Sequence, residues 1–371
     1  MFDLRFKLVR EHYTAGDLIA QFIEQTTKEQ NMKKQNNRIH FLPLILLLGI
    51  LLSSFTACDA FDGLISGDGG FDPWDEKYFE NQEDDFYAKY AVVTDSLGRT
   101  AAVERNPICV AALTGGLAEV WMLSGGEVFA TVDDAWTDMS LNLRSDAVNL
   151  GGTHSIDMEA LYELNPELVI ASAHDPNREE LMQAFDSKGI LALFFDISSY
   201  DDYLYTLKIC TDITGRSGFY ETYGLDMKDQ IDTCRALAYE NGSAPRVLLL
   251  RASKSGLQVK NSSGTVLGET LEDLGCINIA DIDQTLTENP DLESIQALQP
   301  DLIFIFIMGD DIDGAFLKMS EVIGDSPAWS QLDAVKAEKV FYMDKIQFTM
   351  KPNTRWPDVY GYLTDILLNF V

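Results

Sequence analysis

Two stretches of the sequence share one pattern, "HSIDMEALYELNPELVIAS" at residues 154–172 and "NPDLESIQALQPDLIFIF" at residues 289–306. Each has an acidic amphipathic segment that stops at Asn-Pro or Gln-Pro, where a helix is expected to end. Each then continues as an unbroken apolar run, which is typical of a strand covered on both faces of its sheet. The repeat predicts two related α/β lobes in one chain.

Strand and helix signals alternate on both sides of these two stretches. In the first half, strand patterns occur in "ICVAAL", "EVFATV", "ELVIAS" and "ILALFFDI", and a helix pattern occurs in "GGLAEVWMLSG". In the second half, strand patterns occur in "RVLLLRA", "DLIFIFIM" and "KVFYMD", with a helix in "VLGETLEDLG". This alternation indicates parallel sheets with crossover helices. The predicted fold is α/β, with two Rossmann-like lobes and a ligand cleft between them.

One long helix is predicted to join the lobes. The stretch "SGFYETYGLDMKDQIDTCRALAYENG" begins at Ser217, a residue that caps helices, and ends at the helix-stopping pair Asn241-Gly242. A helix of about 24 residues is about 36 Å long and stiff, so we expect the lobes to rock by small angles only. The predicted divisions are residues 104–215 for the first lobe, 216–242 for the linking helix and 243–371 for the second lobe.

The segment that starts at Met32 is typical of a secretory signal. It has a basic leader, the short apolar run "FLPLILLLGILL" and small residues before Cys58. That run is shorter than the roughly 20 residues that span a bilayer. Small residues directly before a cysteine resemble the lipobox of bacterial lipoproteins, which implies that Cys58 is lipidated and begins the mature chain. A signal cleaved elsewhere, or a single anchoring helix, is the alternative.

The N-terminal divisions follow from this interpretation. We predict that residues 1–31 are a start-site artefact, although a functional extension stays open, and that residues 32–57 are the signal peptide. Residues 58–103, rich in Asp, Glu and Gly at their start, are predicted to be an acidic tether and entry segment.

Composition excludes several classes of function. The chain has 59 acidic against 28 basic residues, a net charge of −31, and such a surface repels nucleic acid. No C-x-x-C pair, G-x-G-x-x-G or P-loop occurs, so redox, zinc-finger and nucleotide motifs are absent from the sequence. Of the four histidines in the chain, only His154 and His174 follow Cys58, and a site for bare zinc or manganese generally needs several histidines, with carboxylates, that converge on one ion. We find no catalytic arrangement and expect neither enzymatic activity nor a directly bound metal.

Residues 104–371 resemble the ABC-transporter substrate-binding proteins of the iron-siderophore, haem and cobalamin class. The resemblance rests on the order and spacing of "GGLAEVWMLSGGEVFATVDDAW", "MEALYELNPELVIAS" and "SPAWSQLDAVKAEKVFYMD". It implies a lipid-anchored receptor on the extracytoplasmic face of the cell membrane. Such a receptor captures a small metal chelate and delivers it to an ABC permease dimer with its ATPase.

The same resemblance implies that Glu159 and Glu293 dock on the permease, one from each lobe. Two acids on separate rigid lobes can sense whether the lobes stand at the closed spacing. The alternative is that both are ordinary solvated residues near helix N-termini, where the helix dipole favours acids.

Ligands of parallel α/β lobes collect at the carboxyl ends of the strands. Tryptophan there suits a large planar ligand, and arginine suits the negative charge of a chelate. Either residue type can instead serve packing or structural ion pairs alone, and haem ligation by His174 or Met308 stays open. The candidate ligand-binding residues are Thr114, Trp136, His174, Arg251, Met308, Arg355 and Trp356.

The predicted cargo is an iron complex of the siderophore type. Cobalamin or haem, bound by the same architecture, is the first alternative. A surface sensor or adhesion module that keeps the fold without a transporter is an alternative of another class, and an enzyme acting on chelates is a further one.

Overall fold

The structure, a computed structural model, describes residues 86–240, 242, 244–288, 291–309, 311–324 and 326–369. The predicted start-site segment, the signal peptide, Cys58 and most of the acidic tether lie outside the described residues. Within those ranges, no helix combines the length and the apolar character needed to cross a bilayer.

The described strands fall into two larger sheets and two small hairpins. They are β1 (Tyr90–Thr94), β2 (Thr100–Glu104), β3 (Val110–Ala112), β4 (Ala130–Thr131), β5 (Val148–Asn149), β6 (Gly151–Gly152), β7 (Ser155–Ile156), β8 (Leu168–Ser172), β9 (Ala192–Phe195), β10 (Arg246–Ser253), β11 (Gly256–Lys260), β12 (Ile277–Asn278), β13 (Leu302–Ile307) and β14 (Val340–Met343).

Helices alternate with these strands along the chain. They are α1 (Gly115–Leu123), α2 (Asp134–Thr137), α3 (Met158–Leu164), α4 (Arg178–Lys188), α5 (Tyr200–Thr214), α6 (Gly218–Tyr223), α7 (Lys228–Glu240), α8 (Val266–Asp273), α9 (Ile279–Ile282), α10 (Thr285–Glu288), α11 (Leu292–Leu298), α12 (Ile312–Met319), α13 (Pro327–Ser330), α14 (Asp333–Lys336), α15 (Lys345–Phe348) and α16 (Trp356–Leu368). Short 3-10 turns occupy Leu225–Met227 and Asn353–Arg355, and a π turn occupies Ser320–Gly324.

The two sheets are separate, and each forms the centre of one lobe. The sheet of the first lobe has the strand order β5-β4-β3-β8-β9, with every neighbouring pair parallel. The sheet of the second lobe has the order β11-β10-β13-β14, with β12 also paired to β10. There β11 is antiparallel to β10, and the other pairs are parallel. The predicted two-lobe α/β fold is confirmed.

The sequence repeat is also a repeat in structure. Helices α3 and α11 each begin after an aspartate, Asp157 or Asp291, whose carboxylate accepts a hydrogen bond from the amide three residues later, at 3.0 and 2.9 Å. Each helix ends at a residue in the left-handed conformation, Asn165 at φ 47° and Gln299 at φ 43°. A proline and then a strand that is buried except for its last residue follow in both lobes, so the two halves position α3 and α11 in the same way.

The segment between the lobes is not one continuous helix. Helix α6 stops at Tyr223, and after the 3-10 turn the chain re-enters a helix as α7. The hydroxyl of Tyr200 donates to the carbonyl of Gly224 at 2.7 Å, and that of Tyr203 donates to the carbonyl of Tyr223 at 2.6 Å. These α5 side chains occupy carbonyls that a continuous helix would use for its own amides. The predicted single rod is therefore replaced by two short helices.

One apolar core extends through both lobes. Alternate residues of the central strands, such as Val110 in the first sheet and Val247 and Phe304 in the second, belong to the same buried cluster. Helices α5, α7 and α16 contribute to it, and the fully buried Trp356 of α16 packs edge-on against Tyr200 of α5 with ring centroids 6.3 Å apart. The opposite faces of the two sheets pack in separate clusters, one in each lobe.

We expect Gly224→Ala to destabilise the fold by about 1–3 kcal/mol, the usual cost of overpacking. A Cβ at Gly224 would lie 2.5 Å from the carbonyl oxygen of Tyr220 and 3.0 Å from Cδ2 of Leu204. Urea unfolding measures the change. Gly218→Ala is the matched control, because a Cβ there has no neighbour within 4 Å. Equal midpoints for the two variants would contradict the prediction.

Candidate functional site

The carboxyl ends of the two sheets face each other. Lys345, the first residue of α15 after β14, has its Nζ 3.2 Å from Oδ2 of Asp138, which follows α2 in the first lobe. Lys351, farther along the same segment, donates from Nζ to the carbonyl of Ile197 beyond β9 at 2.7 Å. We call the strand ends and following loops on this side the interlobe edge. A ligand held between the lobes would contact this edge.

On the first lobe, the start of α1 is tied to α2. The hydroxyl of Thr114 caps α1 by accepting from the amide of Leu117 at 3.2 Å, and Oδ1 of Asp134 accepts from the amide of Gly115 at 2.8 Å. Gly115 has no room for a side chain, because a Cβ would lie 2.9 Å from the amide nitrogen of Ala135. Trp136 lies half-buried on α2. Thr114 and Trp136, two of the predicted ligand residues, are thus brought to one place.

The carboxylate of Asp134 has a perturbed pKa. Its pKa is raised from 3.8 to about 6, mainly by burial and also by the charge of Asp138, against the opposing effects of the hydrogen bond from Gly115 and the charge of Lys345. Asp134 therefore changes charge in a range where most carboxylates are already ionised.

His174 lies at the end of β8, exposed beside Asp196. Its Nε2 is 2.8 Å from Oδ2 of Asp196, and the hydroxyl of Ser198 donates to Oδ1 at 2.7 Å. Burial alone would raise the pKa of Asp196, but the hydrogen bonds from His174 and Ser198 leave it lowered. A depression of about 350 Å³, lined by residues 173–180, lies next to this pair. His174 thus lies at the interlobe edge with one ring nitrogen engaged by a carboxylate.

On the second lobe, Arg251 and Met308 come together. Nη1 of Arg251 lies 3.9 Å from the sulfur of Met308, and Nη2 donates to Oε1 of Gln258, the residue directly opposite on β11. Lys260 lies opposite Leu249, two positions before Arg251, so its side chain shares the face of Arg251 and Gln258. Burial lowers the pKa of Arg251, and burial together with the charge of Arg251 lowers that of Lys260.

Two predicted ligand residues do not belong to this site. Trp356 has no exposed surface and forms part of the shared core, so it is not available to stack on a ligand. Arg355 binds Glu119 of α1 with both terminal nitrogens, Nη1 to Oε1 at 3.1 Å and Nη2 to Oε2 at 2.9 Å. Asn353 donates to the carbonyl of Gly116 at 3.0 Å. The "KPNTRW" loop therefore ties the second lobe to α1 instead of facing a ligand.

Glu159 and Glu293 occupy equivalent positions in the two lobes. Each is the second residue of its helix, α3 or α11, and each is exposed. Because α3 runs directly into β8 and α11 into β13, each helix begins on the side of the strands' carboxyl ends. The two carboxylates thus lie at corresponding ends of the lobes, and their docking role stays a prediction.

Sequence reasoning did not identify Gln258 and Lys260, because strand β11 was not predicted. The local signal is a turn at Lys254-Ser255 before Gly256, followed by the alternation of Leu257 and Val259 with polar residues. Within the described residues no group of three or more His, Cys, Asp or Glu side chains is placed to hold a metal ion.

A protein-family model described as "Periplasmic binding protein" matches residues 110–346, more than half of the chain. A comparison with curated proteins finds no match. Solved structures show a similar fold at low sequence identity. The heme complex of IsdE from Staphylococcus aureus is 15% identical, with a TM-score of 0.62 over 70% of this chain and 98% of that chain.

Two further solved structures have a TM-score of 0.60. One is the triscatecholate siderophore binding protein FeuA from Bacillus subtilis with Ferri-Bacillibactin, 17% identical over 75% of this chain and 97% of that chain. The other is an ABC transporter substrate-binding protein from Listeria monocytogenes EGD-e, 20% identical over 71% of this chain and 100% of that chain. At these identities the likeness establishes the fold alone.

We expect Asp134→Asn to stabilise the protein above pH 6 and to have little effect near pH 4. The folded-state pKa of about 6 exceeds the ordinary 3.8, so ionisation destabilises the fold as pH rises between these values. An amide keeps the acceptor for Gly115 and removes the charge. Solvent still reaches this carboxylate and weakens the effect. We therefore expect the free energy of unfolding of the variant at pH 8 to exceed that of wild type by about 1 kcal/mol, which corresponds to about 2–4 °C in melting temperature.

Melting curves of wild type and variant at pH 4 and pH 8 measure this difference. Asp186→Asn, which removes an exposed charge from α4 of the same lobe, is the control and should be neutral at both pH values. A gain that is the same at pH 4 and pH 8 would contradict the assignment.

Proposed function

Because the chain belongs to the periplasmic binding protein family, we propose that it is the extracytoplasmic binding component of an ABC importer. It captures an iron chelate between its lobes and delivers it to the permease dimer, which its ATPase drives. Capture involves no chemical turnover. It requires only that the permease distinguishes the loaded from the empty arrangement of the lobes.

The observation that carries this proposal is the structural equivalence of Glu159 and Glu293. A permease dimer offers two related surfaces, and a receptor with one exposed carboxylate at the same place on each lobe matches them. Since each glutamate is the second residue of a short helix fixed by an aspartate cap, its position follows that of its lobe. Complementary basic groups on the permease would then pair best at one lobe spacing.

The anchor of the receptor is proposed to be lipid on Cys58. The lipobox-like residues before this cysteine support the proposal. The acidic segment after it would serve as a tether between the membrane and the lobes. The extracytoplasmic location follows from the same signal.

The cargo is proposed to be a ferric siderophore. The solved structures of similar fold include complexes with Ferri-Bacillibactin and staphyloferrin B, and the second lobe offers Arg251 to an anionic ligand. Haem is the second candidate, supported by the heme complex of similar fold and by the exposed Met308. Haem ligation by His174 would first have to displace its bond to Asp196.

The double variant Glu159→Ala, Glu293→Ala should bind cargo as wild type does but fail to deliver it. Loss of two interfacial charge pairs should lower cargo-dependent uptake about tenfold or more. The measurement is uptake of iron-labelled chelate in cells that carry the permease. The control is Glu163→Ala, Glu321→Ala, which removes two exposed acids near the opposite ends of the strands. Wild-type uptake by the docking variant would favour the sensor or adhesion module instead.

Quenching of intrinsic tryptophan fluorescence should identify the cargo class. We expect saturable quenching by at least one ferric siderophore, since Trp136 lies half-buried at the interlobe edge. Haem and cobalamin are titrated in parallel, with the iron-free siderophore as the control. Tightest binding of haem or cobalamin would replace the siderophore proposal, and binding of none would remove the transport proposal.

A further inference from the structure

Most cations of this acid-rich chain are paired with carboxylates where the structure describes them. Arg144 with Asp146 and Lys208 with Asp212 are examples. Some described cations have no carboxylate within 4.0 Å: Arg105, Arg216 and Lys351 donate to backbone carbonyls instead. Arg251 and Lys260 also have no carboxylate within 4.0 Å among the described residues, and they are half-buried neighbours. Because the chain has 59 acidic and 28 basic residues, two neighbouring cations without a carboxylate partner are unexpected.

The register of the second sheet places the two cations together. Arg251 lies between Gln258 on β11 and Phe306 on β13, its direct neighbours across the sheet. Lys260 is the diagonal neighbour of Arg251 on the same face, a separation of about 7–8 Å between backbones that long side chains bridge. Met308, in contact with Arg251, marks the carboxyl end of β13. Arg251 therefore lies near the interlobe edge, and Lys260 lies one residue pair farther from that edge on the same face of the sheet.

This arrangement costs free energy unless a counter-charge is present. Both side chains are half-buried, burial lowers the pKa of each, and the charge of Arg251 lowers the pKa of Lys260 further. A like charge and partial desolvation both oppose ionisation. Gln258 supplies one neutral acceptor for Arg251 and no counter-charge. An anion bound between the two cations would supply it.

The first lobe offers the opposite charge. At its part of the interlobe edge lie the carboxylate of Asp134, that of Asp138, which pairs with Lys345 of the second lobe, and that of Asp196, which is bonded to His174. Its arginine near the depression, Arg178, already donates to the carbonyl of Ala173 at 2.8 Å. The anionic groups of a ligand are therefore favoured on the side of the second lobe, away from these carboxylates.

We propose that the second lobe alone holds the negative charge of the cargo, through Arg251 and Lys260. This rests on the proposed function and deepens it, because it selects chelates that carry anionic oxygens, such as catecholates or carboxylates, over uncharged ones. The cargo then binds in one orientation, with its anionic groups on the β10–β11 hairpin and its apolar part toward Trp136.

The test compares two cargoes on purified full chain in detergent, an anionic ferric tris-catecholate and an uncharged ferric tris-hydroxamate. Dissociation constants come from tryptophan quenching for wild type, Arg251→Gln, Lys260→Gln and the double variant. We expect each single substitution to weaken tris-catecholate binding about 10- to 100-fold, as for hydrogen bonds to charged groups, and to leave tris-hydroxamate binding unchanged. Arg251→Lys, which keeps the charge, should retain most of the affinity.

The control is Lys336→Gln, which removes one positive charge from α14, before β14 and near the opposite ends of the strands. Melting curves verify that each variant is folded. If wild type prefers the uncharged chelate, or if both chelates lose affinity equally, the inference is overturned while the proposed function stands. If wild type binds no chelate, cobalamin or haem, the proposed function fails and the inference fails with it.

Discussion

The shared apolar core is the constraint on which the rest of the structure depends. Both sheets send alternate residues into one buried cluster, and α16 returns from the second lobe to pack Trp356 against Tyr200 of the first. Separating the lobes would expose this cluster at about 25 cal/mol for every Å² of apolar surface. We therefore expect the lobes to keep their contact and to change their spacing only slightly at the interlobe edge. This geometry suits a ligand that arrives in its final shape.

Polar contacts near this core fix the position of one lobe against the other. The bidentate pair of Arg355 and Glu119, and the bond from Lys351 to the carbonyl of Ile197, lie in the segment that follows β14. The chain thus connects the lobes physically at two places, the segment between α5 and α7 and the segment before α16. Two connections resist twisting better than one, which keeps Glu159 and Glu293 in a defined relation.

Much of the fold is predictable from the sequence, because the buried strands β8, β10 and β13 are long apolar runs and the helix before β8 or β13 ends in a proline motif. The candidate site is predictable in part. Thr114, Trp136, His174, Arg251 and Met308 follow or end strands, and the strand-end rule locates them. Trp356 and Arg355 show the limit of the strand-end rule, because a sequence does not tell whether a loop faces a cleft or the neighbouring lobe. Likewise, the position of Lys260 beside Arg251 is known only from the pairing of β11 with β10.

The interruption at Gly224 has a mechanical consequence. Helix α6 is fastened to α5 by two tyrosine hydroxyls, so it belongs to the first lobe, whereas α7 packs along α16. Torsion of one half of the molecule against the other must then be absorbed by the backbone angles of the few residues from Gly224 to Met227. The predicted continuous helix is thus interrupted after Tyr223, and the hydroxyls of Tyr200 and Tyr203 bind the carbonyls at the interruption.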